Sequence, residues 1–200
     1  MSLHAEDRDG DGDRRRLPAT PAQRAWTMPA LPAGRLRRVV EAPEPVLSQP
    51  GADVDPNAAE IIQLAADLVA THAVSPGCVG LAAHQLGVAQ RVFSLDVSGH
   101  PRTRTCHGLL VLCNATVSSA TRRERGREGC MSVPDFTGDV ARARRVTVRG
   151  QLPVTGAWVD LATDAFEAVA LQHEIDHTNG VLFLDRVTGP HAVHPRRTYQ

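Results

Sequence analysis

The sequence predicts an α+β fold, mainly antiparallel strands around a central helix. Three observations carry this. Strand-like segments dominate and follow one another without the alternation of strand and long helix that a doubly wound sheet requires. Two stretches hold clear helical periodicity. The later of these carries two histidines four residues apart, which marks it as a metal-binding helix.

Taken in order, the first helix starts at Asp55-Pro56-Asn57 and continues through Ile61, Leu64, Ala65, Leu68 and His72 at helical spacing. Ser75-Pro76-Gly77 stops it. Residues 91–97 and 109–117 are rich in branched side chains and read as strands. Residues 145–150 alternate apolar and polar, and 156–161 supply a returning strand. Thr163 is the expected cap of the second helix, which runs to Thr178 and stops at Asn179-Gly180. Arg122-Arg123-Glu124-Arg125-Gly126-Arg127 reads as a solvated loop. Residues 1–36, with an acid–glycine run and recurrent prolines, read as a disordered extension. A domain over 37–188 follows, and 189–200 form a short tail.

Composition removes several function classes. A chain of 200 residues with 42% hydrophobic content supports one packed core rather than two. Its 22 basic and 22 acidic residues cancel, so no net field recruits nucleic acid or an anionic membrane. All 22 basic residues are arginine. Only 4% of residues are aromatic, too few for a base-stacking platform, and direct nucleic-acid binding is not expected. The longest apolar run, residues 109–113, is far short of the ~18 residues a membrane span needs. No secretory core follows Met1, so the reading is a cytoplasmic chain without membrane contact. Cysteines at 78, 106, 113 and 130 then read as reduced thiols.

The most informative segment is Gln172-His173-Glu174-Ile175-Asp176-His177. Residues four apart stack on one helix face, so both imidazoles can reach one ion, and Glu174 can touch water beside it. Phe166, Val169, Ala170, His173 and His177 share that face, so the histidines continue an apolar stripe and point inward. A catalytic site needs a third protein ligand. After the second histidine, a metzincin-type ligand position holds Phe183, and no glutamate follows Glu174. Asp185, His191 and His194 remain downstream. Upstream, Glu128-Gly129-Cys130-Met131-Ser132 offers a thiolate, a strong ligand for iron or zinc.

With Gly80-Leu81-Ala82-Ala83-His84-Gln85-Leu86-Gly87 as a third block, the chain resembles the peptide deformylase family over roughly residues 37–188. The resemblance implies that Cys130, His173 and His177 hold one divalent metal ion, natively Fe²⁺, with Zn²⁺, Ni²⁺ or Co²⁺ able to replace it. It implies Glu174 as acid and base, and the Gln85 amide and Met131 backbone N–H as donors to the developing oxyanion. The implied substrate is an N-formylmethionyl peptide at the start of a nascent chain, and the product is formate. By the same analogy Val79, Gly80, Met131, Phe166 and Val169 line the methionine slot; ordinary core packing is the alternative for the apolar ones. Glu128, held by Arg142 or a neighbour, would orient the cysteine turn.

Departures from the family pattern are specific. Cys78-Val79-Gly80 replaces glycine-any-glycine, with Cys78 read as a small buried hydrophobe. His84 stands beside Gln85 and is expected to face solvent. No C-terminal helix follows Arg186, and Arg196-Arg197 are the only basic residues left, so ribosome contact is doubtful. Three other readings stay open: an amidohydrolase acting on another formylated or acylated amine, a metallopeptidase using His191 or His194, and a non-catalytic metal-binding relative.

Overall fold

In a computed structural model of the chain, residues 26–196 are described. Six antiparallel strands form one sheet in the order β1 (Gly80–Ala82), β2 (Val92–Leu95), β3 (Leu110–Cys130), β4 (Val133–Gln151) and β5 (Trp158–Asp164), with β6 (Val193–Pro195) paired to β4. Two helices, α1 (Ala59–Val74) and α2 (Ala165–Thr178), pack on it.

The main core lies between α2 and the sheet, where Leu110, Leu112, Val148 and Leu161 meet Ala168, Leu171 and Ile175. A second cluster joins Ile61, Leu64 and Leu68 of α1 to Leu81, Val92 and Val111. The third, around Leu47, Val133, Val140 and Phe183, includes Cys130. Burial at roughly 25 cal/mol per Å² of apolar surface drives this assembly.

The structure corrects several expectations. β3 does not end at residue 117; it runs unbroken to Cys130, so Arg122–Arg127 lie in a strand paired with β4 rather than in a loop. Nearly every side chain from 116 to 127 is exposed on both faces of this ribbon, which erases the alternation that marks a half-buried strand. Thr163 belongs to β5, and Asp164 occupies the cap position of α2; the Thr163 hydroxyl instead donates to Glu167 at 2.6 Å. From the expected N-terminal extension, Trp26, Met28 and Leu31 lie against the core clusters, and residues 1–25 are outside the described residues. At the other end, β6 attaches Val193–Pro195 to residues 136–138.

Candidate metal centre

The two-residue turn Met131-Ser132 between β3 and β4 brings Cys130 over the face of α2. Donor atoms of Cys130, His173 and His177 lie within 4.8 Å of one another, and Cys130 Sγ is 3.2 Å from His177 Nε2. Thiolate and imidazole ligands of one tetrahedral ion are separated by roughly 3–4 Å, so this donor set fits a divalent metal. Burial alone would raise the Cys130 thiol, but His177 and His173 outweigh it and hold the group well below its ordinary value, as a thiolate. His191 and His194 take no part; His194 Nε2 lies 3.2 Å from Asp139 Oδ2 on the ribbon.

A chain of charged groups fixes the histidine. His173 Nδ1 contacts Glu128 Oε2 at 3.0 Å, which leaves Nε2 for the metal. Arg142 grips both Glu128 oxygens at 2.9 and 3.1 Å and reaches Asp176, which also accepts two bonds from Arg186. Burial raises the Glu128 carboxyl, yet the His173 and Arg142 hydrogen bonds bring it down to about 2. Asp176 was not singled out by sequence reasoning; its place one residue before His177 was the available signal.

Glu174 is 3% exposed, and its Oε2 has no hydrogen-bond partner. Burial, only partly opposed by His173 and His177, pushes its carboxyl up to about 7. Gly80 makes the room: a Cβ there would lie 2.3 Å from Glu174 Oε1. Gln85 sits in a 3₁₀ turn over residues 83–86, accepts from Ala82 N at 3.0 Å, and directs Nε2 to Cys130 Sγ at 3.3 Å and Ser132 Oγ at 3.2 Å. Gln172 bonds both backbone groups of Ala143, locking α2 to β4.

A cavity of about 250 Å³ opens beside these groups, and Val79, Gly80, Met131, Phe166 and Val169 all line it. His100 and Arg102 line it too, and neither was anticipated. His100 stacks on Phe166 with ring centroids 3.6 Å apart, and the Arg102 guanidinium lies 5.0 Å from the same ring. Cys78 is a wall residue outside the donor set, its thiol pushed up to about 12 by burial and by Glu174. His84 is a correction: it is fully buried, and Nε2 meets the Gln49 carbonyl at 2.9 Å instead of solvent.

Residues 36–192 match the family model for polypeptide deformylase. The chain belongs to the polypeptide deformylase family. A peptide deformylase of Carboxydothermus hydrogenoformans is 36% identical over 152 residues, covering 74% of this chain and 91% of that one. One from Syntrophobacter fumaroxidans is 39% identical over 145 residues, covering 72% and 82%. The crystal structure of the deformylase from Thermotoga maritima superposes with a TM-score of 0.69 at 29% identity, covering 78% of this chain and 99% of that one. A Met-Ala-Ser-bound class I type b deformylase from Acinetobacter baumannii gives 0.68 at 31%, covering 76% and 99%. The deformylase match thus includes all three blocks read from the sequence. Among the described residues, no helix is long and apolar enough to cross a membrane.

Proposed function

We propose that this chain removes the formyl group from N-formylmethionine at the start of nascent polypeptides in the cytoplasm, releasing formate. The observation that carries the reading is Glu174: a buried carboxyl with an unpartnered oxygen, beside three metal-donor side chains. A site that only bound metal would have no use for it. The Met-Ala-Ser held by the Acinetobacter baumannii relative has the form of a deformylated product, which supports this substrate class.

Cys130, His173 and His177 hold the ion, Fe²⁺ natively, with Zn²⁺, Ni²⁺ or Co²⁺ able to replace it. Such an ion, when bound, supplies Lewis acidity at the formyl oxygen and brings the pKa of water toward neutrality. Glu174, poised near 7, takes the proton from the attacking water and returns it to the departing amine. The Gln85 amide and the Met131 backbone N–H donate to the oxyanion. Gln85 exchanges its contact with Cys130 Sγ or Ser132 Oγ to do so. Glu128, held by Arg142, keeps the His173 ring in its tautomer and orientation. Val79, Met131, Phe166 and Val169 surround the methionine side chain, and Gly80 keeps the wall clear of Glu174.

The test is formate release from an N-formylmethionyl tripeptide, with protein prepared without oxygen and loaded with Ni²⁺ or Fe²⁺. Turnover is expected for the wild type and should collapse in Glu174→Ala with metal retained. No turnover at one equivalent of bound metal would end the reading.

A further inference from the structure

The C-terminal strand does more than cover β4. Beyond β6, Arg196 N donates to the Asp135 carbonyl at 2.7 Å, and the side chain turns back across the cysteine turn. Its Nη2 donates to the backbone carbonyl of Cys130 at 3.0 Å. Glycine at 129 leaves room for it: a Cβ there would lie 2.5 Å from the same nitrogen and would displace the arginine tip. Arg196 Nε is buried, without a hydrogen-bond partner among the described residues.

The Cys130 carbonyl and the Met131 N–H are two ends of one rigid peptide plane. A charged donor on the oxygen fixes that plane and polarises it, which strengthens the N–H as a donor at the opposite end. We propose that Arg196 is a positioning residue for oxyanion stabilisation, acting through the Cys130–Met131 peptide from outside the residues that line the cavity. The proposal rests on the deformylase reading, in which the Met131 N–H receives the developing charge. It assigns a task to a segment whose composition reads as a bare tail. The distance of 66 residues between the partners explains why no local pattern announces it.

The experiment compares full-length wild type, Arg196→Ala, Arg196→Lys and His194→Ala, all metal-loaded. His194 belongs to the same strand and contacts Asp139, so its variant loosens the strap without touching the peptide. Arg196→Ala should lower kcat by about tenfold, with KM within about twofold and one equivalent of metal retained. Arg196→Lys should recover most of the loss, since an ammonium can donate to the same carbonyl. In zinc-loaded protein the Met131 amide ¹⁵N resonance should move in Arg196→Ala and stay in place in His194→Ala. Equal kcat in Arg196→Ala and His194→Ala would overturn the proposal, as would loss of metal from Arg196→Ala. Failure of the wild type itself to release formate would remove the deformylase reading, and this inference with it; an active wild type matched by Arg196→Ala would remove the inference alone.

Discussion

Helices α1 and α2 are close in length, 16 and 14 residues, and both pack on the sheet, yet they treat buried polar groups differently. In α1, Asp67 accepts hydrogen bonds from Arg35 N, Gln63 and the Arg35 and Arg37 guanidiniums, and His72 meets Ser94 at 3.1 Å. No buried side-chain nitrogen or oxygen of α1 lacks a partner. In α2, Glu174 Oε2 and His177 Nδ1 do. An unsatisfied buried polar atom costs about 1–3 kcal/mol, so the Glu174 oxygen beside the metal-donor set calls for an explanation beyond packing. Polar groups of α1 hold the chain together, as Gln172 and Asp176 do in α2, while Glu174 Oε2 stands without a partner beside the Cys130, His173 and His177 donor set.

The sharpest way to break the comparison is Glu174→Gln. The substitution keeps the shape and removes the proposed base, so kcat should fall by about 10²–10⁴-fold with metal content unchanged. Thermal stability should hold or rise, since a buried carboxyl is replaced by a neutral amide. A large loss of stability would place Glu174 with the structural residues of α1.

Next in size is Arg142→Met, at the junction of the two behaviours. The guanidinium joins Glu128, which orients His173, to Asp176 on α2. Removing it leaves Glu128 with His173 and Asp176 with Arg186 as their remaining charged partners, and denaturant titration should show a loss of about 3 kcal/mol. Metal affinity of the folded fraction should drop by about 10–100-fold. Stability lost with metal affinity intact would mean that the carboxylate–histidine contact has no role at the metal.

The same division decides what could be read from the sequence. Both helices were legible because their buried faces repeat at helical spacing, and the donor residues of α2 declare themselves through that spacing. The outer β3–β4 ribbon was not: with residues 118–125 exposed on both faces, it has no apolar period to detect. The burial of His84 has no local signal, because its partner, the Gln49 carbonyl, comes from a segment 35 residues away. Trp26 and Met28 sit in a proline-rich stretch whose composition suggests solvation, yet they pack on the core. His100 and Arg102 reach the cavity through the Phe166 ring, a tertiary contact that neither residue type signals by itself. Chemistry held by one helix is visible in the spacing of the chain; partners from distant segments, Gln85 and the Glu128–Arg142 pair among them, are legible only through the family resemblance, and His100 and Arg102 not at all.

The smallest effect belongs to α1, and its pH dependence makes it informative. Asp67→Asn should cost about 1–2 kcal/mol at neutral pH, from weakened hydrogen bonds to the N-terminal arm, with kcat per folded molecule unchanged. Burial alone would raise the Asp67 carboxyl, but the Arg35 backbone N–H, Gln63 and the two arginine side chains outweigh it and hold it below its ordinary value. A carboxyl depressed in the folded state contributes stability that is fully present above its unfolded pKa, about 3.9, and is lost as pH falls through the folded value. Protonated Asp67 then resembles the asparagine. The gap in Tm between wild type and Asp67→Asn should therefore be constant above about pH 5 and narrow on further acidification. A gap as wide at pH 3 as at pH 7 would show that Asp67 contributes through shape alone, and that its ion pairs with Arg35 and Arg37 add nothing to the fold.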